Sequence, residues 1–372
     1  MLRHTCNHNI LKLSALLIAC GAVVGLLGGC KEKDPAENLS LRVKLSLAPS
    51  QRALAAPAEG TALTIDQYSS VLLRFWNEEG TEAVWPFSKI FVQGTADMDK
   101  LTSATGLAID VSPKAKKITA DCNFRGAPSD DIYSYQGKTL KELPYRTGKT
   151  TIDRSESYFQ ANGCNALLAP KPAVARIEVF GSLVPVKNAK DKTDYSDIKI
   201  TGIYVNNFIK DANAPTRLKR TPNDYDKSSG VWTDHPEAMH NLEAGLGAAI
   251  EAEAGKPKTK CDTYYLFPDK AAAPTEIDHV IVRLSYKLKG VQKNNRFLTI
   301  AKYKDSHGTN LKTFAAGYVY KLDLSSLGEL FVTPEEGDPV DPTDDRPEET
   351  YKEITGNVDV APWDDEGIDI EL

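Results

Sequence analysis

Few side chains in this sequence stand where they could do chemistry. There is no G-x-S-x-G for an activated serine, no H-E-x-x-H for zinc and no glycine-rich phosphate loop. His235 and His240 lie five apart around Glu237; an i, i+4 pair is needed to put two imidazoles on one helical face. Asp338, Asp341, Asp344 and Asp345 lack the glycine and terminal glutamate of a calcium loop and read as solvated linker. Asp364, Asp365 and Glu366 read as a solubilising turn. Cys122, Cys164 and Cys261 contain no C-x-x-C, so they suggest no zinc site. Cys122 and Cys164 either pair in an oxidising compartment or, with Cys261, are small buried apolar residues. No catalytic residue, metal or cofactor is expected. What remains is a covalent-processing chemistry at two places. One is Cys30, at the end of an apolar segment. The other is Arg52, in the small-residue loop Ala48–Gly60, where the backbone is open to a trypsin-like protease. On that loop alone Arg52 reads as a surface arginine.

The elements around Cys30 give it a context. Arg3 and Lys12 flank a basic start, and Leu13–Leu27 is nearly all apolar. That is about 15 residues, short of the ~20 a spanning helix needs, and fits a secretory signal. Leu27-Gly28-Gly29-Cys30 resembles the lipobox of bacterial lipoproteins. That resemblance implies cleavage before Cys30 and a lipid on its thiol, with each buried CH₂ contributing ~0.8 kcal/mol of anchoring.

Beyond the signal, 372 residues suffice for two domains. A net charge of −6 with both signs mixed argues against nucleic acid as a partner. Fifteen tyrosines against three methionines lean toward β structure. Ser40–Leu47 alternates, with Leu41, Val43, Leu45 and Leu47 on one face. Asn77–Gly80 marks a hairpin turn between Ser69–Trp76 and Thr81–Trp85. Residues 125–162 read as long loops. Their Tyr133, Tyr135, Tyr145 and Tyr158 are a glycan-contact surface or, more simply, loop packing. Strand patterns return at Val174–Leu183, Asp197–Asn206, Asp278–Gly290, Phe297–Tyr303 and Gly317–Leu324. Pro236–Ala254 spaces Met239, Leu242, Leu246 and Ile250 as a helix would.

The tail is the most unusual part. Pro334–Thr350 is acidic and proline-rich, which predicts an extended tether that packs no core. After it, Ile354, Gly356, Val358 and Val360 alternate with polar residues, as do Ile368, Ile370 and Leu372, around Trp363. Apolar strand material at the end of a tether must find a sheet edge, and the expectation is an edge on another molecule.

In order along the chain, the lipobox cysteine, VARIEVFGSL, DIKITGIYVNNF, GYVYKLDLSSLG and VDVAPWDDEGIDIEL resemble the fimbrillins. These are type V pilus subunits of anaerobic Gram-negative bacteria, and the tail most resembles that of the minor-fimbria shaft subunit. The resemblance implies an all-β fold of two tandem transthyretin-like β-sandwiches with a C-terminal donor-strand extension. It implies a signal peptide over 1–29, a lipidated propeptide with the first strand over 30–52, and sandwich domains over 53–169 and 170–333. An acidic linker over 334–352 and a donor strand over 353–372 complete it. It further implies a precursor held at the outer membrane by Cys30 and cut by an Arg-specific protease between Arg52 and Ala53. The strand of Leu41, Val43, Leu45 and Leu47 is then lost. Ile354, Val358, Val360, Trp363, Ile368, Ile370 and Leu372 of another copy, or of a related subunit, would fill its place in a cell-surface fimbria. Arg42 and Lys44 offer other cleavage positions. The alternatives are a tip or accessory adhesin, an anchor subunit that keeps its first strand, and a glycan-binding surface lipoprotein. An enzyme is the weakest reading.

Overall fold

The structure, a computed structural model, describes residues 38–45, 68–123, 132–136, 142–181, 183, 194–212, 216–232, 239–246, 250–253, 256–258, 262–271, 274–332, 340–349 and 355–362. It is all-β in character, with two short α-helices among the described residues. The first group of strands is β1 (Leu39–Leu45), β2 (Ser70–Trp76), β3 (Ala83–Val92), β4 (Leu107–Val111), β5 (Lys117–Cys122), β6 (Tyr145–Arg146), β7 (Thr150–Thr151), β8 (Ala166–Leu168) and β9 (Lys171–Pro172). They form a sheet of order β4-β1-β8 and a second of order β3-β2-β5-β6-β9, with β7 on β5. Period-two burial faces the two sheets to one another: Leu41, Val43, Leu45, Leu107, Ile109 and Val111 from one meet Val71, Leu73, Phe75, Ile118 and Ala120 from the other.

The second group begins two residues after β9. It holds β10 (Ala175–Phe180), β11 (Tyr195–Asn206), β12 (Phe208–Ile209), β13 (Arg217–Leu218), β14 (Tyr225–Asp226), β15 (Val231–Trp232), β16 (Met239–Leu246), β17 (Ile250–Glu253) and β18 (Lys256–Lys258). It continues with β19 (Asp262–Leu266), β20 (His279–Leu288), β21 (Val291–Ile300), β22 (Lys302–Lys304), β23 (Tyr318–Asp323) and β24 (Thr355–Pro362). Two sheets enclose this core, of order β19-β10-β23-β24-β22 and β16-β11-β20-β21. The pairs β12-β13, β14-β15 and β17-β18 are separate ribbons.

Several sequence expectations change. Where a helix is expected over Pro236–Ala254, the described residues Met239–Leu246 and Ile250–Glu253 are strands: β16 pairs antiparallel with β11, Tyr204 opposite Met239 and Ile200 opposite Leu246. Two internal glycines weaken a helix there, and the open side of β11 offers a ladder instead. Conversely, residues 125–162 are not only loop, for α2 (Glu156–Asn162) lies within them, and α1 (Ala96–Thr102) precedes them. Each spans only seven residues, too few for a helical period to register, yet each is capped. Thr95 and Ser155 accept from the N–H of Met98 and Tyr158, and Gly163 ends α2 at φ 66°. Tyr135 and Tyr145 are buried, so they belong to packing rather than to a glycan surface. The strand patterns expected over Asp278–Gly290 and Phe297–Tyr303 are joined by a tighter turn than their spacing suggests. Lys289 and Gly290, at φ 48° and 78°, join β20 directly to β21. Cys122 and Cys164 are free thiols, both buried. Cys261 lies outside the described residues.

Candidate functional site

β1 is the middle strand of its sheet. It runs antiparallel to β4, with Leu39 opposite Val111 and Val43 opposite Leu107. Its C-terminal end runs parallel to β8, with Val43 opposite Ala166 and Leu45 opposite Leu168. The place of β1 is therefore an internal slot, bordered by a strand on each side. Leu41, Val43 and Leu45 are 1%, 0% and 2% exposed. Burying three such side chains contributes roughly 5–9 kcal/mol, comparable to the whole stability of a typical domain, about 5–15 kcal/mol. Polar contacts fix the register. Arg42 N donates to Asn165 Oδ1 at 2.9 Å, Asn165 N donates to Arg42 O at 2.7 Å, and Lys44 Nζ donates to Asn162 O at 2.8 Å. Gly106 lets the backbone approach: at φ 68°, a Cβ there would stand 2.8 Å from Val43 O.

β24 is held in the same manner. It lies antiparallel to β23, with Leu322 opposite Val358 and Tyr318 opposite Pro362, and parallel to β22, with Tyr303 opposite Gly356. In the single chain the tail strand thus pairs within its own group of strands. The reason is that β23 and β22 leave a strand-wide place between them. Its ladders match those of β1, but its described side chains bury less. Val358 is 2% exposed, but Val360, expected to share its pocket-filling face, is 36% exposed.

The acidic segment ahead of β24 departs most from expectation. Instead of a solvated tether, Val340–Glu348 lies along the free edge of β21. Phe297 and Asp344 exchange both backbone hydrogen bonds, at 2.8 and 3.0 Å. Pro342, Thr343, Pro347 and Glu348 are buried. Prolines suit this course because an edge needs few of the segment's N–H groups. Glu348, at φ 63°, turns its carboxylate inward to accept from Asn206 Nδ2 at 2.9 Å and from His279 Nδ1 at 2.9 Å.

Other buried charges are structural. Arg176 and Glu178 of β10 pair at 2.8 Å, 6% and 2% exposed. Arg217 bridges Asp269 and Asp278, each at 2.8 Å. Burial pushes Asp278 up to about 6, although the Arg217 guanidinium and His279 pull it down. Burial also raises the Cys122 and Cys164 thiols. On β3, an edge strand, Trp85, Phe87, Ile90 and Val92 are all exposed.

Of the residues singled out in the sequence, the structure places Leu41, Val43 and Leu45 in one slot and Val358 and Val360 on β24. Cys30, Leu47, Arg52, Ala53, Ile354, Trp363, Ile368, Ile370 and Leu372 lie outside the described residues. Sequence reasoning missed β8 as the parallel neighbour of β1, and missed Asn206, His279, Tyr286 and Arg296 as partners of the acidic segment. The signal for the latter was present: a histidine opening an otherwise apolar strand, and prolines spacing the acids.

No family model matches the chain, and no curated protein does. Among solved structures it is similar to a Bacteroides eggerthii protein assigned to cell adhesion, at 12% identity over 90% of this chain and 98% of that one, TM-score 0.45. It is similar to a fimbrilin (FimA) from Porphyromonas gingivalis, at 12% identity over 88% and 97%, TM-score 0.42. The tip fimbrial protein Mfa3 of Porphyromonas gingivalis, truncated at its C-terminus, overlaps at 10% identity over 77% and 94%, TM-score 0.37. At these values the similarity carries no argument about partners or activity.

Proposed function

We propose that the chain is a structural, non-enzymatic subunit of a cell-surface fimbria, polymerised by donor-strand exchange. In this reading it is exported as a lipoprotein precursor anchored through Cys30 in the outer membrane. An Arg-specific protease cuts between Arg52 and Ala53, and β1 leaves. Residues 353–372 of another copy, or of a related subunit, then take the vacated slot.

The observation that supports this best is the place of β1, held between an antiparallel and a parallel neighbour near one end of the chain. An internal strand cannot be lost without loss of burial on the scale of the domain's stability, and it strips β4 and β8 of ladder partners. A cut domain is therefore under strong pressure to accept a replacement strand. β24 supports the other half of the reading, since it already fills a slot of the same kind, with one antiparallel and one parallel neighbour. Head-to-tail exchange without ring closure gives an open filament. The smaller burial of its described side chains makes β24 the strand free to exchange.

The test is to treat the purified chain with an Arg-specific protease, read the new N-terminus and run unheated denaturing gels. A start at Ala53 with an SDS-resistant ladder, lost on deleting Glu353–Leu372, is the expected result. Cleavage without a ladder would move the assignment to a tip or accessory adhesin. A chain that resists cleavage and stays monomeric would be an anchor subunit or a glycan-binding lipoprotein.

A further inference from the structure

The acidic segment does more than span a gap. Tyr195 Oη donates to Val340 O, and Tyr286 Oη donates to Asp341 Oδ1 and lies 2.7 Å from Thr343 Oγ1. Arg296 grips the same turn, Nε donating to Thr343 Oγ1 at 3.0 Å and Nη2 to Thr343 O at 2.7 Å. One residue on, Asp344 closes a reciprocal backbone pair with Phe297. At the far end Glu348 N donates to Thr299 Oγ1 at 3.2 Å, and its carboxylate fills the pocket made by Asn206 and His279. These contacts come from β11, β20 and β21. None comes from β22 or β23, the two strands that hold β24. The segment and β24 are thus fastened to different sheets.

The energetics differ as well. Withdrawing Glu348 would empty a buried pocket and take one acceptor each from Asn206 Nδ2 and His279 Nδ1, a cost of the kind that makes breaking a buried polar pair expensive. β24 is fastened among its described side chains by Val358 and by the close fit at Gly356.

We propose that the free edge of β21, with Asn206, His279, Tyr286, Arg296 and Thr299, is a binding site for the chain's own segment Val340–Glu348, which stays seated when β24 leaves. Glu348 is then a fixed root. The exchangeable arm begins at Glu349 and not at the start of the proline-rich run. A root ordered beforehand removes part of the entropy that a free tether would lose on assembly and fixes the direction in which the arm departs. The consequence for the filament rests on the strand-exchange reading above; the separate opening of the segment and β24 does not.

Two covalent staples separate these statements. Lys227 and Asp345, 2.6 Å apart at their charged tips and both exposed, become Lys227→Cys/Asp345→Cys, joined by a short bis-maleimide. Lys321 and Asp359, cross-strand partners on β23 and β24, become Lys321→Cys/Asp359→Cys, joined as a disulfide. The segment staple is expected to leave the SDS-resistant ladder within about twofold of the unstapled chain, whereas the β24 staple abolishes it. A ladder abolished by the segment staple overturns the proposal. A ladder that survives the β24 staple sinks the strand-exchange reading instead. In that case, or if no ladder forms at all, amide exchange on the uncut chain decides. The Phe297, Asp344 and Glu348 amides are expected to exchange at least ~tenfold more slowly than those at Val358 and Val360. Glu348→Ala, or Arg296→Lys should the former not fold, is expected to erase that gap. Equal rates in the unaltered chain overturn the proposal.

Discussion

Gly356 of β24 packs directly against Leu322 of β23: a Cβ on the glycine would stand 2.7 Å from Leu322 Cδ1, with Ile300 and Tyr303 at 3.1 and 3.2 Å. The glycine is needed here for close approach, since its backbone is not in the left-handed region. Gly356→Ala is therefore expected to loosen β24 at home by about 1–3 kcal/mol, the usual cost of overpacking a filled core. The amides of Val358 and Val360 would exchange faster while those of β1 keep their rates. A variant whose β24 is protected as in the parent would show that the strand adjusts without loss.

A second prediction concerns the more deeply buried of the two strands. Leu41 is 1% exposed between β4 and the facing sheet, so Leu41→Ala should destabilise the uncut chain by about 2–5 kcal/mol. If β1 leaves on processing, the same substitution has nothing left to act on. Urea unfolding of cut, assembled material should then match the parent, and a deficit that persists after cleavage would mean that β1 is retained.

These two strands also show how far the sequence could be read. Period-two alternation marked β1, β20, β23 and β24 directly, because the pattern is local, although only β1 and β24 bury a single face, while β20 and β23 have runs buried on both. The slot around β1 was not legible. Its parallel neighbour, Ala166–Leu168, lies far along the chain and is only three residues long. The acidic segment misled for a different reason. Composition says that aspartates and prolines cannot build a core, but it does not say that an arginine, two tyrosines and a histidine on three other strands will bind them. At Met239–Leu246 a spacing of three and four imitated a helix, and only the partner β11 decides otherwise.

The cysteines give a third prediction. Cys122 and Cys164 are fully buried and their thiols are pushed up by burial, so little thiolate is present at neutral pH. Neither should react with iodoacetamide in the native chain, and both should react in urea, as read by peptide mass mapping. Rapid native labelling of either would contradict the packing described here.

The last prediction is a pH dependence whose sign runs against ordinary acid denaturation. Asp278 titrates at about 6 in the folded chain because burial opposes its charge more than Arg217 supports it. In the unfolded chain an aspartate titrates at about 3.9. The folded state therefore holds this proton more tightly. Above pH 6 the fold carries the full cost of the charged, buried carboxylate. As pH falls from 6 toward 4 that cost is relieved, by about 2–3 kcal/mol in all. Below the unfolded value both states are protonated and the effect is complete. Other carboxylates pull the opposite way, Asp226 among them, held down to about 2 by Ser228 and Ser229. The term is isolated by difference, subtracting the unfolding free energy of Asp278→Asn from that of the parent at each pH. That difference should shift in favour of the parent as pH drops through 6 and then level off near 4. A difference that is flat, or that shifts toward the variant on acidification, would mean that the Arg217 pair dominates and that Asp278 is an ordinary ionised aspartate.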